Sequence, residues 1–259
     1  MGIALTERSA RVVAAAKLLR HAGRKRTGLF LAEGANLVQA ALARGIVTDV
    51  YATESALSRF DELLTGTPVQ VVTDKAAKSL SDTVTPVGLV AVCSTPTPNL
   101  HDVLANSPRL VAVAVETSEP GNAGTLIRLA DAMGADAVVL AGNSVDPYNG
   151  KCLRATAGSI FSLPVFEMTD TAALIEALGA AGLQVLATTL DGELSLDDAD
   201  LAKPTAWLFG AEAHGLAPDV ATLADARVLI PMSGSAESLN VAAAAAICLY
   251  ESSRASRRN

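Results

Sequence analysis

Short apolar runs alternate with stretches of helical period along most of this chain. Four runs in its first half, Leu29–Glu33, Val47–Ala52, Val69–Thr73 and Gly88–Cys93, have the length and residue types of strands. Between them, Asn36–Arg44 and Ala56–Leu64 place apolar residues every three or four positions and predict helices, as does Ser9–His21 near the start. The rhythm stops at STPTPNLHDVLANSPR, Ser94 to Arg109, where three prolines predict a linker. It then resumes, with strands predicted at Leu110–Glu116, Ala137–Leu140, Leu183–Thr188, Thr205–Phe209 and Arg227–Ile230. Helices are predicted at Ala123–Met133, Ala172–Leu178 and Leu239–Ser252. Both halves read as α/β, divided into residues 1–94, a linker over 95–108, and residues 109–259. Unbroken runs such as LVAVAV suit a mostly parallel sheet covered on both faces.

Composition narrows the class. A chain of 259 residues, half hydrophobic and 3% aromatic, is long enough for one large core or two modest ones. The charge-free stretch Ser238–Tyr250 falls short of the roughly 18 residues that suggest a membrane span. The opening MGIALTERSA lacks the basic and apolar regions of a secretion signal. Cys93, Cys152 and Cys248 form no spacing pattern, and their odd number argues against a disulfide framework. Neither they nor His21, His101 and His214 show metal-ligand spacing. A soluble cytoplasmic protein without metal or membrane contact is expected.

The net charge of −7 argues against a nucleic-acid binder until its distribution is considered. Arg8, Arg11, Lys17, Arg20, Arg24, Lys25 and Arg26 are opposed only by Glu7 in the segment up to Arg26, so the remainder of the chain is strongly acidic. Such an arm reads equally as a phosphate-contacting element or as a solvated helix with a basic C-terminal end.

Three segments carry candidate chemistry. In ETSEPGNAGTLIRLADAMGAD, Glu116 to Asp136, a strand ends in a Pro-Gly-Asn turn and a helix begins near Asn122. Its N-terminal amides suit an anion, and Arg128 is expected in its first or second turn. No G-x-G-x-x-G is present, which excludes a nicotinamide-type dinucleotide fold. In WLFGAEAHGLAPD, Trp207 to Asp219, a strand delivers Glu212 and His214 to a loop at its carboxyl end, followed by a helix opened by Pro218. His214 is a general-base candidate or a hydrogen-bonding spacer. In IPMSGSAESLNVAAAAAICLYE, Ile230 to Glu251, Ser238 is expected to cap a helix from Leu239 onward.

In this order, the segments resemble the three signature motifs of the SpoU/TrmH branch of the SPOUT RNA methyltransferases. The first resembles N-x-G-x-x-x-R, with Asn122, Gly124 and Arg128. The second resembles F-G-x-E-x-x-G-L, with Phe209, Gly210, Glu212, Gly215 and Leu216. The third resembles I-P-M…S-L-N-V, with Ile230, Pro231, Met232, Ser238, Leu239, Asn240 and Val241. Ala211 and Ala242 stand where Asn and Ser are common. The resemblance spans Arg109 to Glu251. Through FLAEGANLVQAAL and SDTVTPVGLVAV, the first half is similar to the smaller L30e-like substrate-binding domain often found ahead of it. Two-domain members of the thiostrepton-resistance rRNA methyltransferase type look most similar.

The resemblance implies a deep trefoil knot, a homodimer with each site completed near the subunit interface, and S-adenosylmethionine as cofactor. It implies cofactor contacts at Gly210, Ile230, Met232 and Leu239, with Thr189 and Leu190 as further candidates. It implies methyl transfer to a ribose 2′-hydroxyl of a structured RNA, ribosomal rather than transfer RNA given the extra domain. Arg128, Asn122, Glu212, Ser238 and Asn240 form the expected catalytic set. A neutral alcohol must lose its proton as the new bond forms. Guanidinium stays protonated at ordinary pH, so Arg128 either accepts the proton with help from a substrate phosphate or stabilises the developing alkoxide as a fixed cation; the second is physically preferable. Arg154, with Arg8, Arg11, Arg24, Lys25 and Arg26, completes the expected RNA contacts. The alternatives are a transfer RNA 2′-O-methyltransferase and a catalytically idle RNA binder of the same fold, the latter disfavoured because the catalytic set is intact.

Overall fold

The computed structural model describes residues 4–257. The chain folds as two compact units. Of the described residues, one comprises those up to Thr97 together with Tyr148–Phe161; the other comprises Pro98–Pro147 and those from Ser162 onward.

The first unit opens with α1 (Ala10–Ala16), a 3-10 turn (Lys17–Leu19) and α2 (His21–Thr27). The single helix expected over Ser9–His21 is therefore broken, and Arg20 is extended at φ −100° and ψ 139°. The break is filled from α2. A Cβ on Gly23 would lie 2.0 Å from the Lys17 carbonyl oxygen, so only glycine permits this approach. Arg24 is 6% exposed and donates from Nη1 to the Leu18 and Leu19 carbonyls at 2.8 and 3.0 Å. Arg24 thus leaves the expected phosphate-contacting set, since its guanidinium satisfies carbonyls that the broken helix leaves open. Arg8, Arg11, Lys25 and Arg26 remain exposed. Replacing Arg24 with Met should cost about 1–3 kcal/mol, the scale of stranding buried acceptors, read as a lower urea midpoint at unchanged slope.

The unit continues through β1 (Leu29–Glu33), α3 (Ala35–Ala43), β2 (Val47–Ala52), α4 (Glu54–Arg59), α5 (Asp61–Leu64), β3 (Val69–Val71), α6 (Asp74–Ser79) and β4 (Leu89–Ser94). Its sheet has the order β1-β4-β2-β3, with β4 antiparallel to both neighbours and β2 parallel to β3. Central placement buries β4 from Leu89 to Cys93 and explains its unbroken apolar run. Glu33, at the end of β1, accepts from the Ser81 and Thr83 hydroxyls. Arg154 is paired with Asp82 and lies 3.9 Å from Glu33. The guanidinium expected to meet a phosphate is therefore held by carboxylates of its own unit.

Within the proline-rich segment, α7 (Leu100–Ala105) is capped by Asn99 and packs Leu100, Val103 and Leu104 on the core of the second unit. Then follow β5 (Leu110–Val115), α8 (Pro120–Ala132), β6 (Ala137–Ala141), α9 (Gly150–Thr156, part of the first unit), β7 (Val165–Met168), α10 (Thr171–Ala180), β8 (Gln184–Thr188), β9 (Leu194–Ser195), β10 (Thr205–Phe209), α11 (Pro218–Ala221), β11 (Ala226–Leu229) and α12 (Val241–Ser256). The seven strands form a wholly parallel sheet in the order β7-β6-β5-β10-β8-β11-β9. Strands β5, β6 and β10 are buried along their whole length, as strands covered on both faces should be. Trp207 on β10 is fully buried and donates its indole N–H to Ser252 Oγ on α12 at 2.8 Å.

One placement departs from chain order. Although β8 and β9 are consecutive in sequence, β11 lies between them. Their connection, residues 189–193, crosses β11 so closely that a Cβ on Gly192 would lie 2.6 Å from the Leu229 nitrogen.

Candidate active site

The winding of the parallel sheet reverses beside β5, with β6 and β7 on one side and β10, β8 and β11 on the other. Sheets of this type bind ligands outside the carboxyl ends of their strands at such a switch point. Two of the three motif segments leave the sheet there.

The first leaves β5 at Glu116, whose φ of 53° is left-handed and ends the strand. Glu119 then caps α8 by accepting from the Gly121 N–H, and Pro120 occupies the first turn, where its missing N–H costs nothing. Because α8 begins at Pro120 rather than near Asn122, Arg128 is its ninth residue and lies in the third turn, beyond the position expected. Its side chain is exposed, with no hydrogen bond or ion pair to any described residue.

The second leaves β10 at Gly210. Here the chain doubles back, and Ala211 and Gly215 exchange two backbone hydrogen bonds of 3.1 and 2.9 Å. Gly215 supplies the turn with a φ of 65°. The approach is so tight that a Cβ on Gly210 would lie 2.1 Å from the Gly215 carbonyl carbon and 2.2 Å from the Leu216 nitrogen. The closed turn raises Glu212, Ala213 and His214 into exposed positions.

The third segment joins the other two through side chains. Asn122 Nδ2 donates to Glu212 Oε1 at 2.9 Å, and Asn240 Nδ2 donates to Asn122 Oδ1 at 3.2 Å. Asn240 Oδ1 in turn accepts from the Ala242 N–H at 2.9 Å. Asn240 is therefore the cap of α12, in place of Ser238, because the chain stays extended through Asn240 and becomes helical only at Val241. Asn122, Glu212 and Asn240 form one hydrogen-bonded chain across three segments. Ser238 lies in an exposed loop, and Arg128 is bonded to neither.

A cavity of about 550 Å³ opens at the carboxyl ends of β8, β10 and β11, within the roughly 300–1,000 Å³ of small-molecule sites. Thr189, Leu190, Gly210, Ile230, Met232 and Leu239 all line it, as do Glu212, His214 and Ser238. Arg128, Asn122 and Asn240 are not part of the lining. Thr189 Oγ1 is buried and has no partner among the described residues; a buried hydroxyl in that state suits a ligand polar group.

One wall is fastened by a clasp that sequence reasoning did not find. Arg227 on β11 donates from its backbone N–H and from Nε to the Glu193 carboxylate, each at 2.9 Å, and from Nη1 to Asp191 Oδ2 at 3.1 Å. The backbone N–H bond from Arg227, with the guanidinium nearby, holds the Glu193 carboxyl below its ordinary range. The clasp is thus kept at neutral pH and lost as the solution is acidified through that lowered value. Its members lie 34 and 36 residues apart, and nothing in one sequence marks them as partners. Burial pushes the Cys93 and Cys248 thiols up to about 12, so neither is a thiolate nucleophile at neutral pH.

The SpoU rRNA methylase family model matches residues 109–250, and the MRM3-like substrate-binding domain model matches residues 10–91. The chain is 35% identical over 228 residues to the 23S rRNA (guanosine(2553)-2′-O)-methyltransferase RlmP of Bacillus subtilis, covering 88% of this chain and 89% of that protein. It is 33% identical to the 23S rRNA (uridine(2479)-2′-O)-methyltransferase of Streptomyces viridochromogenes, with 96% and 91% covered. The crystal structure of the SpoU methyltransferase AviRb from the same organism, in complex with AdoMet, matches with a TM-score of 0.85 at 33% identity. That match covers 95% of this chain and 98% of that one.

Proposed function

Because this chain belongs to the SpoU rRNA methylase family, we propose that it methylates a ribose 2′-hydroxyl of ribosomal RNA with S-adenosylmethionine. The observation that carries this reading is the single cavity into which all six expected cofactor positions converge. Gly210, Ile230, Met232 and Leu239 would hold the cofactor, with the unpartnered Thr189 hydroxyl available to one of its polar groups. When bound, the cofactor supplies an electrophilic methyl on a sulfonium.

The remaining chemistry belongs to the protein. The 2′-hydroxyl proton is released to solvent as the new C–O bond forms, and Arg128 stabilises the developing alkoxide as a fixed cation. The Asn240–Asn122–Glu212 chain holds the start of α8 against the second motif turn, and Ser238 helps to orient the ribose. Since Arg128 lies outside the lining of its own chain's cavity, this reading includes a homodimer with each site completed near the subunit interface. It also includes a deep trefoil knot, supported by the insertion of β11 between β8 and β9. Exposed Arg8, Arg11, Lys25 and Arg26 are assigned to RNA phosphates. No helix among the described residues is long and apolar enough to cross a membrane, and with ribosomal RNA as substrate this reading assigns the enzyme to the cytoplasm. The two relatives are named for a guanosine and a uridine, so the ribose, rather than the base, is the shared target.

Purified protein should bind S-adenosylmethionine at one per chain in calorimetry without added metal. It should also restore a missing 2′-O-methyl mark on ribosomal RNA from a strain lacking the gene. Absence of cofactor binding would overturn the reading; binding without any restored mark would overturn the ribosomal target.

A further inference from the structure

The amino ends of the same parallel strands carry a second cavity, of about 290 Å³, which the proposed reaction does not use. Arg109, Lys203 and Arg257 line it, with the hydroxyl-bearing Ser252, Ser253 and Ser256. Arg109 precedes β5 and Lys203 precedes β10. At about 3.3 Å per residue, the length of those strands puts this cavity roughly 17 Å from the carboxyl-end site.

Its charges distinguish it from the rest of the unit. Of the cations described in the second unit, Arg227 is paired with Asp191 and Glu193, Arg254 with Glu251, and Lys203 with Asp200. Arg128 belongs to the proposed reaction. The two that remain, Arg109 and Arg257, have no carboxylate partner among the described residues, and both line this cavity. Each is steadied by a neutral acceptor, and Arg257 also lies over the Tyr250 ring, 6.0 Å from its centroid. Arg109 Nη2 donates to the Ala202 carbonyl at 2.8 Å, and Arg257 Nη1 to Ser253 Oγ at 2.7 Å. Much of each guanidinium fork is left for another ligand. The lining has one carboxylate, Asp136, and its Oδ2 accepts from the backbone N–H groups of Arg109 and Leu110 at 2.7 and 3.0 Å. A helix dipole accounts for Arg257, at the C-terminal end of α12, but not for Arg109, which lies on no helix.

Two arginines without carboxylate partners, beside serine hydroxyls, offer the donors that phosphate oxygens accept. We propose that this cavity binds a phosphate group, supplied by the backbone of the RNA substrate at a point remote from the methylated ribose. The RNA source rests on the methyl-transfer reading; the phosphate site itself does not.

The protein carries its own probe. Trp207 is its only tryptophan, and its indole N–H bonds to Ser252 Oγ on the cavity wall. Inorganic phosphate, titrated into the full chain at constant ionic strength against chloride, should change Trp207 emission saturably. The Arg109→Gln/Arg257→Gln variant should raise the half-saturation concentration at least tenfold, with Arg257→Gln alone as the milder change. Unaltered S-adenosylmethionine binding by the same variants would establish that they are folded. Affinity for an unmodified 23S rRNA transcript should fall at least fivefold, with a salt dependence shallower by about 1–2 in log–log slope. A lost phosphate response with unchanged RNA affinity would uphold the site but overturn RNA as its source. No response beyond chloride in the unaltered protein would overturn the site, leave Arg257 as a complement to the α12 dipole, and not touch the methyl-transfer reading.

Discussion

Arg128→Ala should lower single-turnover methyl transfer by about a hundredfold or more, the scale of losing one donor to a developing oxyanion, while cofactor binding stays intact. The dissociation of the two effects follows from the geometry: Arg128 is outside the cavity lined by the expected cofactor contacts. Nor is it woven into the fold, since its side chain is exposed and unbonded among the described residues, so the variant should keep its thermal midpoint. Arg128→Lys separates two roles. A point charge near a phosphate survives the exchange, whereas a planar fork that must meet an alkoxide in fixed geometry does not. The lysine variant is expected to fail nearly as badly as the alanine one. Near-normal transfer by Arg128→Ala would remove this residue from the mechanism.

Gly210→Ala should damage the proposed cofactor cavity more than a methyl added at the other glycine of the second motif, Gly215. The new Cβ would meet main-chain atoms of Gly215 and Leu216 at 2.1 to 2.5 Å, and no rotamer change relieves a collision with backbone. The turn closed by Ala211 and Gly215 has to open. Overpacking of this kind costs about 1–3 kcal/mol or more; expressed as affinity, that is roughly fivefold to more than a hundredfold in the cofactor dissociation constant. Gly215→Ala is the informative contrast. A Cβ there meets open space, and only its φ of 65° is strained, so a smaller penalty of about 1–2 kcal/mol is expected. Calorimetry on the pair should rank Gly210→Ala as the worse binder; equal effects would mean that the turn moves freely.

The legibility of this chain varied with the physical range of the interaction concerned. Leu29–Glu33 and Thr205–Phe209 form strands over the predicted residues because burial on both faces writes itself as an apolar run, and Val47–Ala52 does so although only its second half is buried. Strand β7 was missed because Val165 and Phe166 are its only buried residues, and β9 because two residues carry no period. The break between α1 and α2 depends on Gly23 approaching a carbonyl and on a buried Arg24, whereas the composition of that segment shows only a basic helix. Ser238 and Asn240 are both good capping residues, and local preference does not decide between them; the bond from Asn240 to Asn122, 118 residues away, favours Asn240. Motif residues could be picked out by type and spacing. That Asn122, Glu212 and Asn240 would join, and that Arg128 would stand apart, depends on how the strands are ordered in space.

The crossing of residues 189–193 over β11 also has a consequence in time. Ala226–Leu229 and the residues that follow are synthesised after both strands that flank them in the sheet, at about 5–20 residues per second. Until they arrive, β8 and β9 have a vacancy between them, and the cavity lacks the walls supplied by Val228, Leu229, Ile230, Met232, Ser238, Leu239, Val241 and Ala244. A nascent chain halted before Ala226 should therefore have no cofactor affinity, however well its earlier strands have paired. Ligand binding begins only when the segment from Ala226 onward is seated, so cofactor capture would report that the last wall of the cavity is in place.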